Sequence, residues 1–445
     1  MLATAKTPLA EPVPFSASEA APRLTLCAPV RPSPQAPSLL IAIVCIVLVA
    51  VTLRPAIVSI GPLLPSMIQA FGLSHTQASL LTAIPTLLMG VMALPATWLA
   101  RRFGRDRVIL ASLAVLLAAT GLRAFAGSVA TLFLTTVGIG AGIAVVGALL
   151  AGFVKASYPA RAAVLMSIYA TALALGSTVA AAMTGPVALA TGGWRLGASI
   201  WAVPAALAIA AWLFVERQGL SSPGAQQGPR YAMPLGNPTA WLIALFFASN
   251  NIVFYAYISW VAPMYVEYGR SPTMAGLILA SFTLAFLIAN PAFGMLSRKE
   301  DRRLALAISS GISLLGTLAI AIAPNAIPFM AIPIVAFGAG GAFTLGMTLP
   351  LDNARNAEEA NAWNAFILLI SYVVAAMGPL LMGYLRDVTG GFGLAQWLMA
   401  GVSALMLGVT PFLKPHHLKA RRGGVAGTKA QRAAHPLNPV RDTTG

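Results

Sequence analysis

Apolar residues run along this chain in long unbroken stretches: Leu39 to Leu53, resumed after a single Arg from Pro55 to Ala70, is the first. A helix needs about 20 apolar residues to cross a hydrocarbon core of roughly 30 Å, so these runs read as membrane spans. Breaking them at polar or Gly/Pro-marked loops predicts spans over 39–69, 76–99, 107–126, 129–153, 162–190 and 195–215. A polar stretch of Gly, Ser, Gln and Pro at 216–238 follows, and spans resume over 239–266, 273–297, 303–323, 327–351, 360–385 and 393–413. The pattern predicts an all-α membrane protein of 12 transmembrane helices: a six-helix bundle over 39–215, a cytoplasmic linker over 216–238 and a second six-helix bundle over 239–413. Residues 1–38, rich in Pro, Ala and Ser, read as a disordered cytoplasmic tail without a secretory signal, and 414–445 as a basic cytoplasmic tail.

Composition supports lipid as the solvent, since 58% of the 445 residues are hydrophobic and 9% charged. The formal net charge of +16 could suggest nucleic acid, but the cations bunch in short loops instead of lining a face. Arg101, Arg102, Arg105 and Arg107, then Lys155 and Arg161, then Arg298, Lys299, Arg302 and Arg303 fall in alternate loops. The positive-inside rule therefore predicts both termini on the cytoplasmic side of a multi-pass protein in the inner (plasma) membrane. Cys27 and Cys45, in a tail and a span, offer neither disulfide nor metal cage, and Cys27 has no apolar run before it that would make it a lipid-attachment site. His75 is placed in an outer loop and the other histidines in the tail, so no metal site or proton relay is expected.

Sliding the second half along the first by about 197 residues exposes an internal repeat. Gly72 with Ala78 falls on Gly269 with Ala275, Leu99-Ala100-Arg101 on Leu296-Ser297-Arg298, and, one residue further, Gly140-Ala141-Gly142 on Gly338-Ala339-Gly340. Two pseudo-symmetric halves in parallel arrangement place a substrate site near the midplane between them.

Arg54 is the most costly residue in the pattern. It lies about 20 Å from either membrane surface at 1.5 Å per residue, and a cation there must face a wet cavity or a partner. No Asp or Glu stands at that depth. An anionic ligand would neutralise Arg54, and its planar fork suits a small carboxylate-like or linear anion; the alternative is an Arg held by backbone carbonyls or Asn side chains. The repeat sets Asn251 opposite Arg54, with Asn250 beside it, and Tyr255, Tyr257 and Trp260 could add hydrogen bonds and a ring wall to the same substrate-binding site. Arg123 and Arg195 are expected at the outer end, as span anchors or as an outer vestibule for anions. The glycines of the fourth and tenth spans read as packing residues. No paired carboxylates or Cys/His arrangement suggest an enzyme, and no cofactor or metal is expected.

The twelve-span plan, the linker and the basic loop Arg101-Arg102-Phe103-Gly104-Arg105 resemble the major facilitator superfamily across nearly all of 39–413. Leu53-Arg54-Pro55 followed by Gly61-Pro62-Leu63-Leu64-Pro65, with Arg123 and Trp194-Arg195, is similar to its cyanate permease-like branch, which includes 2-nitroimidazole transporters. The resemblance implies the major facilitator fold and alternating access. It implies a secondary active or facilitative transporter of a small, cyanate-like anion or small polar solute, working as a monomer in the lipid bilayer. It also implies a cytoplasmic gate loop at Arg101, Arg102, Gly104, Arg105 and Arg298; Thr97 and Arg101-Arg102 depart from the superfamily pattern there, whereas Gly294 and Arg298 keep part of it. The competing readings are an exporter of small drugs such as nitroimidazoles, with Arg54 structural, and a membrane sensor without flux.

Overall fold

A computed structural model describes residues 39–158, 161–217, 233–296, 301–354 and 357–414. The expected N-terminal tail, most of the linker and most of the C-terminal tail lie outside the described residues. Every regular element described is helical. Eleven helices are long and apolar enough to cross a bilayer, and the bent pair His75–Val91 and Ala93–Phe103, 59° apart, makes a twelfth path. The first span comprises Leu39–Leu53, Pro55–Val58 and Ile60–Phe71; the bent pair is the second. Arg105–Leu122, Val129–Ser157, Ala162–Ala190 and the pair Trp194–Ser199 with Ala202–Arg217 complete the first six. The last six are Pro238–Glu267, Pro272–Leu296, Arg303–Ile322, Pro328–Gly346 with Leu349–Asn353, Ala357–Ala375 with Met377–Thr389, and Gly393–Val409.

Local chemistry sets the ends of these helices. Ser74 and Gln77 form a capping box that starts the second span, as Ser128 and Thr131 do for the fourth, each satisfying backbone N–H groups that a helix start leaves open. Asn237 accepts from the Thr239 N–H ahead of the seventh span, with Pro238 in the first turn. Gly72 and Gly390 end helices in the left-handed region.

The first span breaks where its prolines remove donors. Pro55 has no N–H for the carbonyl of Val51, and the helix restarts with Ile57 and Val58 both donating to the Arg54 carbonyl, at 3.1 and 3.0 Å. Gly176 of the fifth span packs directly on that Val51 carbonyl, where any side chain would collide with it.

One end of the molecule is sealed by bonds between the first six spans and the last six. Asp387, near the end of the eleventh span, accepts from the backbone N–H of His75 (2.9 Å) and of Thr76 (2.8 Å) and from the Thr76 hydroxyl (2.6 Å). His75 is the first residue of the second span rather than a loop residue, and its ring nitrogens meet Asp387 at 2.7 Å and Glu267 at 3.4 Å. Glu267 in turn holds Arg386 at 2.8 Å. Deeper in, Ser79 donates to the Pro379 carbonyl and Ser259 to the Thr82 hydroxyl, both at 2.8 Å. The opposite end carries the basic loop of Arg101, Arg102 and Arg105 together with Arg302 and Arg303.

Candidate functional site

Between the seal and the basic end lies a cavity of about 600 Å³, counting its mouth. Both halves line it: Arg54 and Ser177 from the first, Asn251, Tyr255, Asn290 and Tyr372 from the second. Its floor is set by helix geometry. Arg54 stands at the break of the first span and lines the cavity, and the continuous seventh span brings Asn251 and Tyr255, one turn apart, to the same wall.

Arg54 donates from Nη1 to the Tyr255 hydroxyl at 2.9 Å, and its guanidinium carbon lies 5.9 Å from the centre of that ring. The Tyr255 hydroxyl donates a weak hydrogen bond to the sulfur of Met89 at 3.7 Å, which ties the second span to the seventh at this level. An Arg has five N–H donors. Among the described residues the bond to Tyr255 is the one hydrogen bond recorded for this guanidinium, and no ion pair involves it. The site thus presents a fixed positive charge with donors to spare, beside phenol hydroxyls. Such a set binds an anion by charge-assisted hydrogen bonds in a low-dielectric setting.

The other wall is aromatic. Phe254 meets Phe286 with ring centres 4.6 Å apart, Phe286 meets Phe343 at 5.7 Å, and Tyr255 meets Tyr372 at 6.0 Å. Thr283, Phe286 and Asn290 stand at i, i+3 and i+7 of the eighth span and so share the face that lines the cavity. Their i, i+3, i+7 pattern was visible in the chain, but nothing in an all-apolar run marks which face of a helix looks inward.

The residues named from the sequence divide clearly. Arg54, Asn251 and Tyr255 line the cavity; Asn250, Tyr257 and Trp260 do not. Neighbouring helical positions point about 100° apart, so Asn250 turns into the packed interior, fully buried with both amide atoms unpartnered among the described residues. Tyr257 donates to Gln396 at 2.7 Å and Trp260 to the Pro379 carbonyl at 3.0 Å, which places both in the packing at and below the seal. Arg123 lines no vestibule: it is fully buried and donates to the Ala56 carbonyl (3.2 Å) and the Thr136 hydroxyl (2.9 Å), holding the broken first span. Arg195 lies across the Trp194 ring and donates to the Ala126 carbonyl at 3.0 Å, an anchor between loop and span. In the basic loop Arg101, Arg102 and Gly104 are exposed, Gly104 in the left-handed half of conformational space, and Arg105 sits over the Phe153 ring, 3.7 Å from Asp106. Arg298 lies outside the described residues.

The sequence profile of the Major Facilitator Superfamily matches residues 39–367 and 253–441. The chain belongs to the major facilitator superfamily. It is therefore a multi-pass membrane transporter, of a family and a fold that are not those of enzymes. The superfamily chain is 29% identical over 353 residues to the cyanate transport protein CynX of Escherichia coli K12, spanning 79% of this chain and 91% of that one. It is 30% identical over 371 residues to the 2-nitroimidazole transporter of the same organism, covering 81% and 92%. It is 29% identical over 352 residues to the probable nitrate/nitrite transporter NarK2 of Mycobacterium tuberculosis H37Rv, covering 74% and 84%. Among solved structures, a bacterial homologue of the lysosomal transporter Spinster, in an inward-facing and unoccupied conformation, superposes with a TM-score of 0.65 at 20% identity, covering 84% of this chain and 94% of that one. That likeness concerns the fold.

Proposed function

We propose that this transporter moves a small monovalent anion, cyanate-like in charge, across the inner membrane by alternating access, with Arg54 as the residue that binds it. The observation that carries the reading is Arg54 itself, a midplane cation that lines the cavity and has a phenol hydroxyl, not a carboxylate, as its recorded partner. Burying a cation without a counter-charge costs several kcal/mol, and a bound anion removes most of that cost. Asn251 and Tyr255 serve as neutral partners, and the protein acts as a monomer, since one chain contains the whole pathway.

Loop charge sets the sides. The positive-inside rule puts the basic end in the cytoplasm with both termini, so the cavity belongs to an inward-facing state sealed on the outside by Asp387 and His75. The gate loop then lies on the cytoplasmic side. No Asp, Glu or His is among the residues lining the cavity, so the lining itself offers no carboxylate or imidazole to take up a proton beside the anion.

Uptake of labelled cyanate into liposomes containing the purified protein tests the reading. Saturable uptake is expected, falling at least tenfold in Arg54→Ala and also in Arg54→Lys, whose point charge cannot reproduce the fork. Flux that survives Arg54→Ala would overturn it and favour the second reading, export of small neutral drugs along the aromatic wall, for which the ring cluster Phe254, Phe286 and Phe343 speaks.

A further inference from the structure

We infer that the anion carried is a flat ring acid, an aromatic or heteroaromatic monocarboxylate, and that Asn290 selects among such acids by donating to an acceptor on the ring. The inference rests on the proposed anion site at Arg54 and goes beyond it by naming what else the ligand must have.

Size is the first argument. A water molecule occupies about 30 Å³ in the liquid, and a triatomic anion is only slightly larger. Such an ion at Arg54 is short against the cavity lining, which runs on from Arg54 and Tyr255 to Phe286, Phe343 and Asn290. The space beyond Arg54 is walled by rings, and it is not suited to hydrated ions. Tyr372, Tyr255, Phe254, Phe286 and Phe343 form a continuous chain of ring contacts with centres 4.6 to 6.0 Å apart. The polar end of this chain is the pair Tyr255 and Tyr372 beside Arg54, and the apolar end is the three phenylalanines. A solute that fits both ends carries its charge at one edge and a planar π-face on the rest, because stacked or edge-on rings gain more than their buried area alone.

Asn290 supplies the second polar pole. It lies one turn beyond Phe286 on the cavity face of the eighth span, on the side of the basic end. The Thr344 hydroxyl donates to its Oδ1 at 2.9 Å. That bond occupies one lone pair of the carbonyl, and among the described residues no hydrogen bond is recorded for the NH2 group, so this residue of the cavity lining keeps a donor with two protons available. The neighbouring Thr283 cannot compete as donor, since its hydroxyl proton goes to the Ala280 carbonyl at 3.0 Å. A ring acid with its carboxylate on Arg54 and its face on Phe286 therefore meets a donor, and a ring nitrogen or carbonyl there gains a hydrogen bond that a plain benzene ring does not.

The test compares labelled benzoate, nicotinate and cyanate with neutral nicotinamide in proteoliposomes at pH 7.5, where the acids are anions. Saturable uptake of both ring acids is expected, nicotinate half-saturating several-fold lower than benzoate. Asn290→Ala should erase the difference between the two, with Asn290→Ser as the milder variant if the first folds poorly. Phe286→Ala should lower the ratio of ring-acid to cyanate uptake roughly tenfold. Uptake of cyanate that depends on Arg54, with both ring acids excluded, would overturn this inference and leave the anion site standing. Ring acids and nicotinamide carried alike by Arg54→Ala would overturn the anion site itself. If no flux appears, the melting temperature of the detergent-purified protein decides: millimolar nicotinate should raise it more than benzoate, and no shift with either ring acid rejects the proposal.

Discussion

Two arginines at similar depth in the first bundle show how the same residue type takes opposite work. Arg54 keeps donors free in a cavity, whereas Arg123 is enclosed by protein and spends its donors on the Ala56 carbonyl and the Thr136 hydroxyl. The consequence is testable. Arg123→Met should lower the melting temperature, because two buried acceptors lose their donor at about 1–3 kcal/mol each, and transport should fall only in step with folded protein. Arg54→Met should leave the melting temperature near the parent's or raise it, while uptake is lost. Thermal scans beside transport assays on the same preparations separate the two, and a stable Arg123→Met protein without transport would show that Arg123 acts on substrate after all. The sequence put Arg54 deep in the first span and Arg123 at the outer end of the third, as an anchor or a vestibule residue, but it did not show Arg123 enclosed against the broken first span; what each side chain meets depends on which helix lies beside it.

At the scale of the element, glycine contacts carry the repeat into three dimensions. Gly176 of the fifth span meets the Val51 carbonyl of the first, and Gly378 of the eleventh meets the Ile252 carbonyl of the seventh, a like contact between the corresponding spans of the second half, four to five residues off the 197-residue register. Gly142 meets the Ser112 carbonyl and Leu116, while Gly338 meets the Ser309 carbonyl and Ser313; the 197-residue offset relates Ser112 to Ser309 and Leu116 to Ser313, with the two glycines one residue off that register. Backbone atoms cannot move aside as a flexible side chain can, so Gly176→Leu and Gly378→Leu should each destabilise by at least about 1–3 kcal/mol, read as a lower melting temperature; unchanged melting in both would mean that the helices part at no cost. The seal makes a second prediction at this scale. Asp387 places a carboxylate on the open N–H groups that begin the second span, a favourable end of the helix dipole. Asp387→Ala removes four hydrogen bonds, those to the two backbone N–H groups, the Thr76 hydroxyl and the His75 ring, and should shift the population toward opening at that end. A cysteine placed at Ser79, in a Cys27→Ser, Cys45→Ser background, should then react faster with a membrane-impermeant maleimide added from outside; an unchanged rate would show that the seal does not depend on Asp387.

For the whole molecule, the central charge bears on the transport cycle. If Arg54 binds the anion as proposed, the empty carrier takes a cation without a counter-charge through its occluded state, whereas the loaded carrier is neutral there, and desolvation favours the neutral passage. Liposomes preloaded with unlabelled cyanate should therefore take up labelled cyanate several-fold faster than empty ones. Equal rates would mean that Arg54 finds another counter-charge during the return step.

The sequence by itself determined the apolar spans and the basic loops between them, because each of these is set by hydrophobic length and by the cost of charge in lipid, which are properties of the local chain. The helix bounds shifted by a few residues, and the first, second, sixth, tenth and eleventh spans proved broken, at points where prolines and packing, not hydropathy, decide. Tertiary structure alone decided which faces look inward. In a helix apolar all round, no periodicity separates the wall of a cavity from the face against lipid, so Asn251 and Tyr255 entered the site while Asn250, Tyr257 and Trp260 became packing, and Tyr372, Phe286 and Asn290 could be found only once the eighth and eleventh spans had been set beside the first.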